Sequence, residues 1–432
     1  MTIPTEIGGP AGTGGPAGAV RRPLRELTGL TPLAATTACP DPQHVFGRLR
    51  AEHGPVAPVE LEPGVHAWLV MGYPEILTVT RQEQLYSCDP SDWSAQHDGS
   101  LPADSLLRPM MSPYDNAFFV NGERHRRLRA PIAGGMAEID QRAMRRAVAA
   151  LCTDVIGSFA GRGEADLVAD YAAIVPVLAV ADRFGLDAVE SHELQAGLAA
   201  MFAWGADAVA ARERVMKILA DVLAARRAVP SDDLTTYFAE HPNLRDDAEI
   251  YDTMVLVLVA ANENTMSCIA QTLRLMLTDE RFAGRLRGGR LGVDDAIDEV
   301  LWRDPPMTNA PARYALRDTE LAGQPVRRGD ALILGLTAAN ADPRIHAGGE
   351  PWREVGNRAH LSWGAGPHAC PAQIPARLII RTAVETVLHL LPGVRLAVPP
   401  EKLESVPSPW GRTPDSIPVR FVPVARQQPG TD

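Results

Sequence analysis

The sequence predicts a mainly α-helical fold with small β-sheets near both ends of the chain. Three observations carry this. From Glu138 to Ala228 the pattern is helical almost throughout, broken near Gly161-Arg162-Gly163 and Gly185. Asp246 to Leu277 forms one apolar-rich helix about 48 Å long. Short extended segments are confined to the first third and to the stretch that follows Pro305-Pro306.

In order, His66 to Val70 reads as a strand and Glu75 to Gln82 as a helix. Ser87 to Phe119 is a long irregular stretch rich in Asp, Ser, Pro and Met, and irregular segments of that length in compact domains are often functional. Helix resumes from Arg124, and another helix starts after Pro230-Ser231. Val293 to Arg303 is a helix stopped by Asp304-Pro305-Pro306. Arg313 to Arg327 and Ala331 to Leu336 are strand-like, and Val394 to Val424 reads as short strands joined by Pro-rich turns.

Composition narrows the function. Hydrophobic residues make up 46% and charged residues 22% of the 432, as in an ordinary soluble globular protein. No apolar run reaches the length that spans a bilayer. The formal net charge of −11 argues against a nucleic-acid partner. The five cysteines, Cys39, Cys88, Cys152, Cys268 and Cys370, are scattered without a CxxC pair or a Cys/His cluster, which argues against zinc and fits a reducing, cytoplasmic setting. Met1 to Val20 is rich in Gly, Pro and Ala and has no apolar core, unlike a signal peptide. Residues 1–23 are therefore read as a disordered arm, 24–424 as a single domain and 425–432 as a flexible tail.

The most informative run is Trp363-Gly364-Ala365-Gly366-Pro367-His368-Ala369-Cys370-Pro371-Ala372, ahead of the helical stretch Gln373 to Leu391. A lone cysteine in a tight turn before a helix is placed for thiolate chemistry, because the free backbone N–H groups and the helix dipole favour negative charge there. Such a thiolate can be the single protein ligand of a haem iron. The run resembles the haem-ligand loop of cytochromes P450, Phe-Gly-x-Gly-x-His-x-Cys-x-Gly. Trp363 stands for the Phe, Ala372 for the last Gly and Pro375 for a Leu, while Ala376-Arg377 match the Ala-Arg that follows it. The resemblance extends from about residue 24 to 424. It implies a P450 fold, with haem b between the long central helix and the cysteine loop and Cys370 on the iron.

Further runs fit the same resemblance. In Glu123-Arg124-His125-Arg126-Arg127-Leu128-Arg129, His125 and Arg129 lie one helical turn apart and project to one side, a geometry that can hold a carboxylate. By resemblance these two bind a haem propionate, and Arg313 and His368 reach propionates as well. In Val259-Ala260-Ala261-Asn262-Glu263-Asn264-Thr265 the small pair Ala260-Ala261 is expected beside bound O₂. Glu263 takes the place of the family's acid, and Asn264 that of its alcohol, unless Thr265 serves. In Asp298-Glu299-Val300-Leu301-Trp302-Arg303-Asp304-Pro305-Pro306 the family's Glu-x-x-Arg becomes Glu299 and Trp302, with Arg303 one residue late and about 100° away around the helix. The brace of the cysteine loop is therefore expected to be missing, with Glu299 turning to Arg353 or Arg358.

Cys88 to Phe118, His192 to Ala225, Met307 to Ala310 and Pro409-Trp410-Gly411-Arg412 correspond to substrate-facing segments, with Trp93, Phe202, Trp204, Met307 and Trp410 as aromatic or soft contacts. Arg126, Arg127, Arg377 and Arg381 are expected to form a basic patch for an acidic partner. With no flavin or iron–sulfur motif, electrons are expected from a ferredoxin and its reductase. The implied function is a haem-thiolate oxidase of secondary metabolism that uses O₂ on a small molecule or short peptide, with no membrane partner. Asn264 in place of an alcohol tilts this toward coupling of aromatic side chains. Ordinary hydroxylation is the alternative, and the altered Glu-x-x-Arg leaves a non-catalytic haem-binding protein as a third reading.

Overall fold

The computed structural model describes residues 22–202, 208–283, 291–346 and 356–424. The helix expected over 246–277 runs from Asp247–Thr278, and Asp246 caps it by accepting from the Glu249 N–H. Its second half packs Cys268, Ile269, Leu273 and Met276 against Gln141–Phe159, Val293–Arg303 and Gln373–Leu390. Its first half packs Ile250, Met254, Val257 and Leu258 against Val175–Arg183 and Leu234–Glu240. By length and mean hydropathy (1.3 over its best window) this helix could cross a bilayer, contrary to the sequence reading. Half of that window is buried against other elements, so it serves as the core helix of the fold.

A six-stranded sheet runs Thr31–Pro32, Val56–Glu62, Val65–Val70, Ala331–Gly335, Asn309–Ala315, Tyr86–Ser87. Apolar clusters cover both of its faces. The segment expected as one extended piece over 313–327 is a strand followed by a hairpin, Thr319–Leu321 with Gln324–Val326. Positive φ at Ala322 and Gly323 turns the chain there. The strand Glu164–Asp166, unforeseen inside the helical region, pairs with Pro418–Arg420. The irregular stretch 87–119 holds two 3-10 turns, Pro90–Asp92 and Ser94–Gln96, and one short α-helix, Arg108–Met111. Mainly helical architecture with small sheets is thus what the chain adopts. Of the arm expected over 1–23, residues 1–21 lie outside the described residues, as does the tail over 425–432.

Candidate functional site

The cysteine loop is set by its glycines. Gly364 and Gly366 have φ of 71° and 69°, and a Cβ on Gly366 would lie 2.3 Å from the Thr80 carbonyl oxygen. Only glycine lets the helix Tyr73–Arg81 come this close. The Cys370 N–H donates to the Trp363 carbonyl at 2.8 Å, and the Ala369 N–H to Gly366 at 3.1 Å. Arg129 reaches across from the helix Gly122–Glu138 to the Ala369 carbonyl. Burial pushes the Cys370 thiol up, opposed by the Ala372 N–H and the Arg129 charge. Burial raises Cys152 to about 11, opposed by a hydrogen bond with Tyr171, and Cys268 to about 12, opposed by Thr272 and Arg377.

Four of the residues foreseen from the motifs meet beside this loop. The His125 and His368 rings stack at 3.8 Å and 24°. Both ring nitrogens of His125 and Nε2 of His368 are buried with no hydrogen-bond partner. Burial, then Arg313, His125 and Arg129, hold His368 down to about 2. Burial and Arg129 likewise lower His125. Arg313 is 8% exposed and donates to the Ala312 carbonyl. Sequence reasoning missed Glu83, whose Oε1 lies 3.8 Å from His368 Nε2 and is also unpartnered. No motif surrounds Glu83, so no local signal could have found it.

One ligand atom each from Glu83, His125 and His368 falls within 4.8 Å of the others, a spacing a divalent cation could use. The charges of Arg129 and Arg313 beside the imidazoles oppose a cation and favour an anion. Orphaned imidazole nitrogens flanked by two guanidinium groups fit carboxylates such as those of haem, and the thiol of Cys370 fits its iron.

On the central helix, Ala260 and Glu263 stay solvent-accessible, with Leu256, Val259 and Asn264 partly so, while Val257, Leu258 and Ser267 are buried. One stripe of this helix is therefore open within the fold. Its depth explains why burial pushes the Glu263 carboxyl up although solvent reaches it. Asn264 and Thr265 sit in different settings. Asn264 donates to the Ala260 carbonyl at 3.4 Å, and Thr265 is buried in the core at 4% exposure.

The brace differs from expectation. Glu299 is buried and accepts from Arg281 at 2.7 Å and from Arg303 at 2.6 Å. Arg303 is off the Trp302 direction, but an i,i+4 spacing brings it back alongside Glu299. Arg358 turns instead to Asp298 at 3.7 Å, and Arg353 lies outside the described residues. Trp302 takes over the link to the segment before the loop. Its Nε1 donates to the Asn357 carbonyl at 3.0 Å, and its ring meets His346 and His360 edge-on at 5.5 and 5.6 Å. Asn340 adds bonds to the Leu301 carbonyl and the Leu361 N–H, and Ser362 another to Leu301. On the far side of the loop, Arg377 holds Asp298 at 2.5 Å. The loop is thus braced, by neutral groups before it and a charged pair after it.

Other expectations fare less well. Trp93 is 1% exposed and meets the Tyr314 ring at a tilt, 6.0 Å between centroids, so it is core. Trp410 packs on the same cluster. The Phe202 side chain and Trp204 lie outside the described residues. Tyr114 and Phe118 are exposed, and Phe119 contacts both rings. The expected basic patch is largely neutralised: Arg127 pairs with Glu249, Arg377 with Asp298 and Asp294, and Arg381 with Asp294 and Glu385. Arg126 remains exposed.

No protein-family model matches the chain. Among curated proteins it is similar to 2-hydroxy-5-methyl-1-naphthoate 7-hydroxylase of Streptomyces carzinostaticus, 24% identical over 83% of this chain and 89% of that one. It is also 28% identical to nocardicin C N-oxygenase of Nocardia uniformis subsp. tsuyamanensis, over 87% of this chain and 94% of that one. Among solved structures it matches CYP154C4 from Streptomyces sp. ATCC 11861 with a TM-score of 0.79 and 25% identity, covering 91% of this chain and 99% of that one. CYP154A1 from Streptomyces coelicolor A3(2) follows with 0.76 and 27%, covering 91% and 99%.

Proposed function

We propose that this chain, which is a bacterial-type cytochrome P450 and an oxidoreductase carrying haem b, holds the iron through the Cys370 thiolate and joins two positions of a small aromatic molecule. The observation that supports the ligand assignment is the pairing of a glycine-set thiol loop with orphaned imidazole nitrogens and two arginines beside it. His125, Arg129, Arg313 and His368 hold the haem carboxylates, and Ala260 keeps the oxygen side of the central helix open. Bound haem with a thiolate ligand supplies O₂ activation. Residues 24–424 act as one domain, in keeping with the pairing of Pro418–Arg420 with Glu164–Asp166.

Coupling removes one hydrogen from each of two substrate positions. With O₂, two electrons and two protons, it forms one new bond and two waters. Hydroxylation uses the same inputs but places one oxygen atom in the product and the other in water. Asn264 holds the Ala260 carbonyl and offers no hydroxyl proton, so proton delivery falls to Glu263 with water or with polar groups of the substrate. A phenol or indole N–H would serve, which supports an aromatic substrate in a short or cyclic peptide. Hydroxylation is the second reading, and the name of the naphthoate hydroxylase relative favours it. A ferredoxin and its reductase supply the electrons in the cytoplasm.

Two measurements test this. The ferrous–CO complex should show the red-shifted band of thiolate-ligated haem, lost in Cys370→Ala and kept in Cys268→Ala. Persistence of the band in Cys370→Ala would sink the ligand assignment. Turnover under ¹⁸O₂ should leave the main product unlabelled, and label in that product would establish hydroxylation.

A further inference from the structure

Glu83 has no part in the reading above, yet it stands in the middle of the cluster that reading uses. It follows the helix Tyr73–Arg81, whose end at Thr80 is pressed onto Gly366 of the cysteine loop. Its Oε1 is buried and makes no hydrogen bond. It lies 3.8 Å from His368 Nε2 and within 4.8 Å of a nitrogen of His125. A carboxylate oxygen buried without a hydrogen bond is costly even on a side chain that is 25% exposed, and this one sits where Arg129 and Arg313 already match the two carboxylates of a haem. It is a third anion at an edge that needs two.

Resting on the Cys370–haem reading, we infer that Glu83 is a fixed negative charge at the carboxylate edge of the haem that holds the iron ferric against reduction. The sign follows from Coulomb's law. A nearby negative charge favours the more positive oxidation state, and the protein interior screens it less than water does. The same charge repels the haem carboxylates, so it also loosens the cofactor. No bond is made or broken.

The experiment compares wild-type, Glu83→Gln and Glu83→Asp holoenzymes. It uses spectroelectrochemical titration and haem transfer to excess apomyoglobin. Glu83→Gln should shift the midpoint potential to more positive values and slow haem loss several-fold, while Glu83→Asp stays near wild type. Glu83→Ala removes the same charge and must move the potential in the same direction, which covers any folding defect particular to the glutamine. An unmoved potential in both charge-removing variants overturns the inference. So does a negative shift with faster haem loss, which would make Glu83 a hydrogen-bond support for His368. The wild-type ferrous–CO band separates the two readings. Its absence overturns the Cys370 assignment and this inference together, whereas a normal band with an unmoved potential overturns this inference alone.

Discussion

The cysteine loop and the imidazole–guanidinium cluster touch through Arg129 and His368, yet they are finished to different degrees. In the loop, Cys370, Ala369 and Gly364 spend their N–H groups inside the turn, and Trp302, Asn340 and Ser362 fasten the chain that leads into it. In the cluster, His125, His368 and Glu83 keep buried polar atoms without partners. Buried polar groups are ordinarily satisfied, so the contrast has a meaning. The loop fixes the position of sulfur by its own bonds, and the cluster keeps open polar atoms that, on the proposed reading, meet carboxylates from outside the chain.

The largest test of that contrast is the brace. Trp302→Ala removes a large buried side chain and its hydrogen bond, and should cost about 3–5 kcal/mol. It should also turn the thiolate–CO spectrum toward the form without thiolate ligation. Trp302→Phe keeps most of the ring and should lose about 1 kcal/mol. Thermal melts together with CO spectra check both. If Trp302→Ala left the spectrum intact, the neutral groups would not be what holds the loop.

Next comes the one weak spot beside the brace. His360 is buried with both ring nitrogens unpartnered, and burial, then Arg377 and Arg358, lower it from 6.5 to about 4. The unfolded chain binds this proton below pH 6.5, while the fold resists it down to about pH 4. Stability is therefore complete above pH 6.5, falls by about 3 kcal/mol on the way to pH 4, and levels off below. His360→Phe should flatten that part of a plot of Tm against pH.

On the cluster side, Arg313→Ala removes one charge-assisted partner and should weaken haem retention by about 1.5–3 kcal/mol, read as faster transfer to apomyoglobin. Unchanged retention would mean that Arg313 serves only its own strand. The smallest effect belongs to Asn264→Thr. It should change the fraction of electrons lost to peroxide or water while substrate affinity, read from the spectral shift, stays near wild type.

Much of this was legible because it is written locally. The glycine-cysteine run, the helical spacing of His125 and Arg129, and the long apolar run from Asp246 are local patterns, and the structure places each on the expected element. What was not legible depends on residues distant in sequence. Glu83 acquires its setting from His368, the strand Glu164–Asp166 from Pro418–Arg420, and Arg127 has its charge offset by Glu249. The substitution of Trp302 was visible, but its acceptor, the Asn357 carbonyl, could not be inferred from helical periodicity.

The close approach of Gly366 to Thr80 also constrains when this protein can acquire its cofactor. The two meet only after most of the chain has been made, because one lies in the first fifth and the other near the end. Contacts so distant in sequence close late, since the entropy of the intervening loop must be overcome first. During synthesis the helices of the middle can form while the cluster at His125 still lacks His368. If Cys370 is the ligand as proposed, cofactor loading is a step of the finished chain, and a truncation before residue 370 would make a helical body without that ligand.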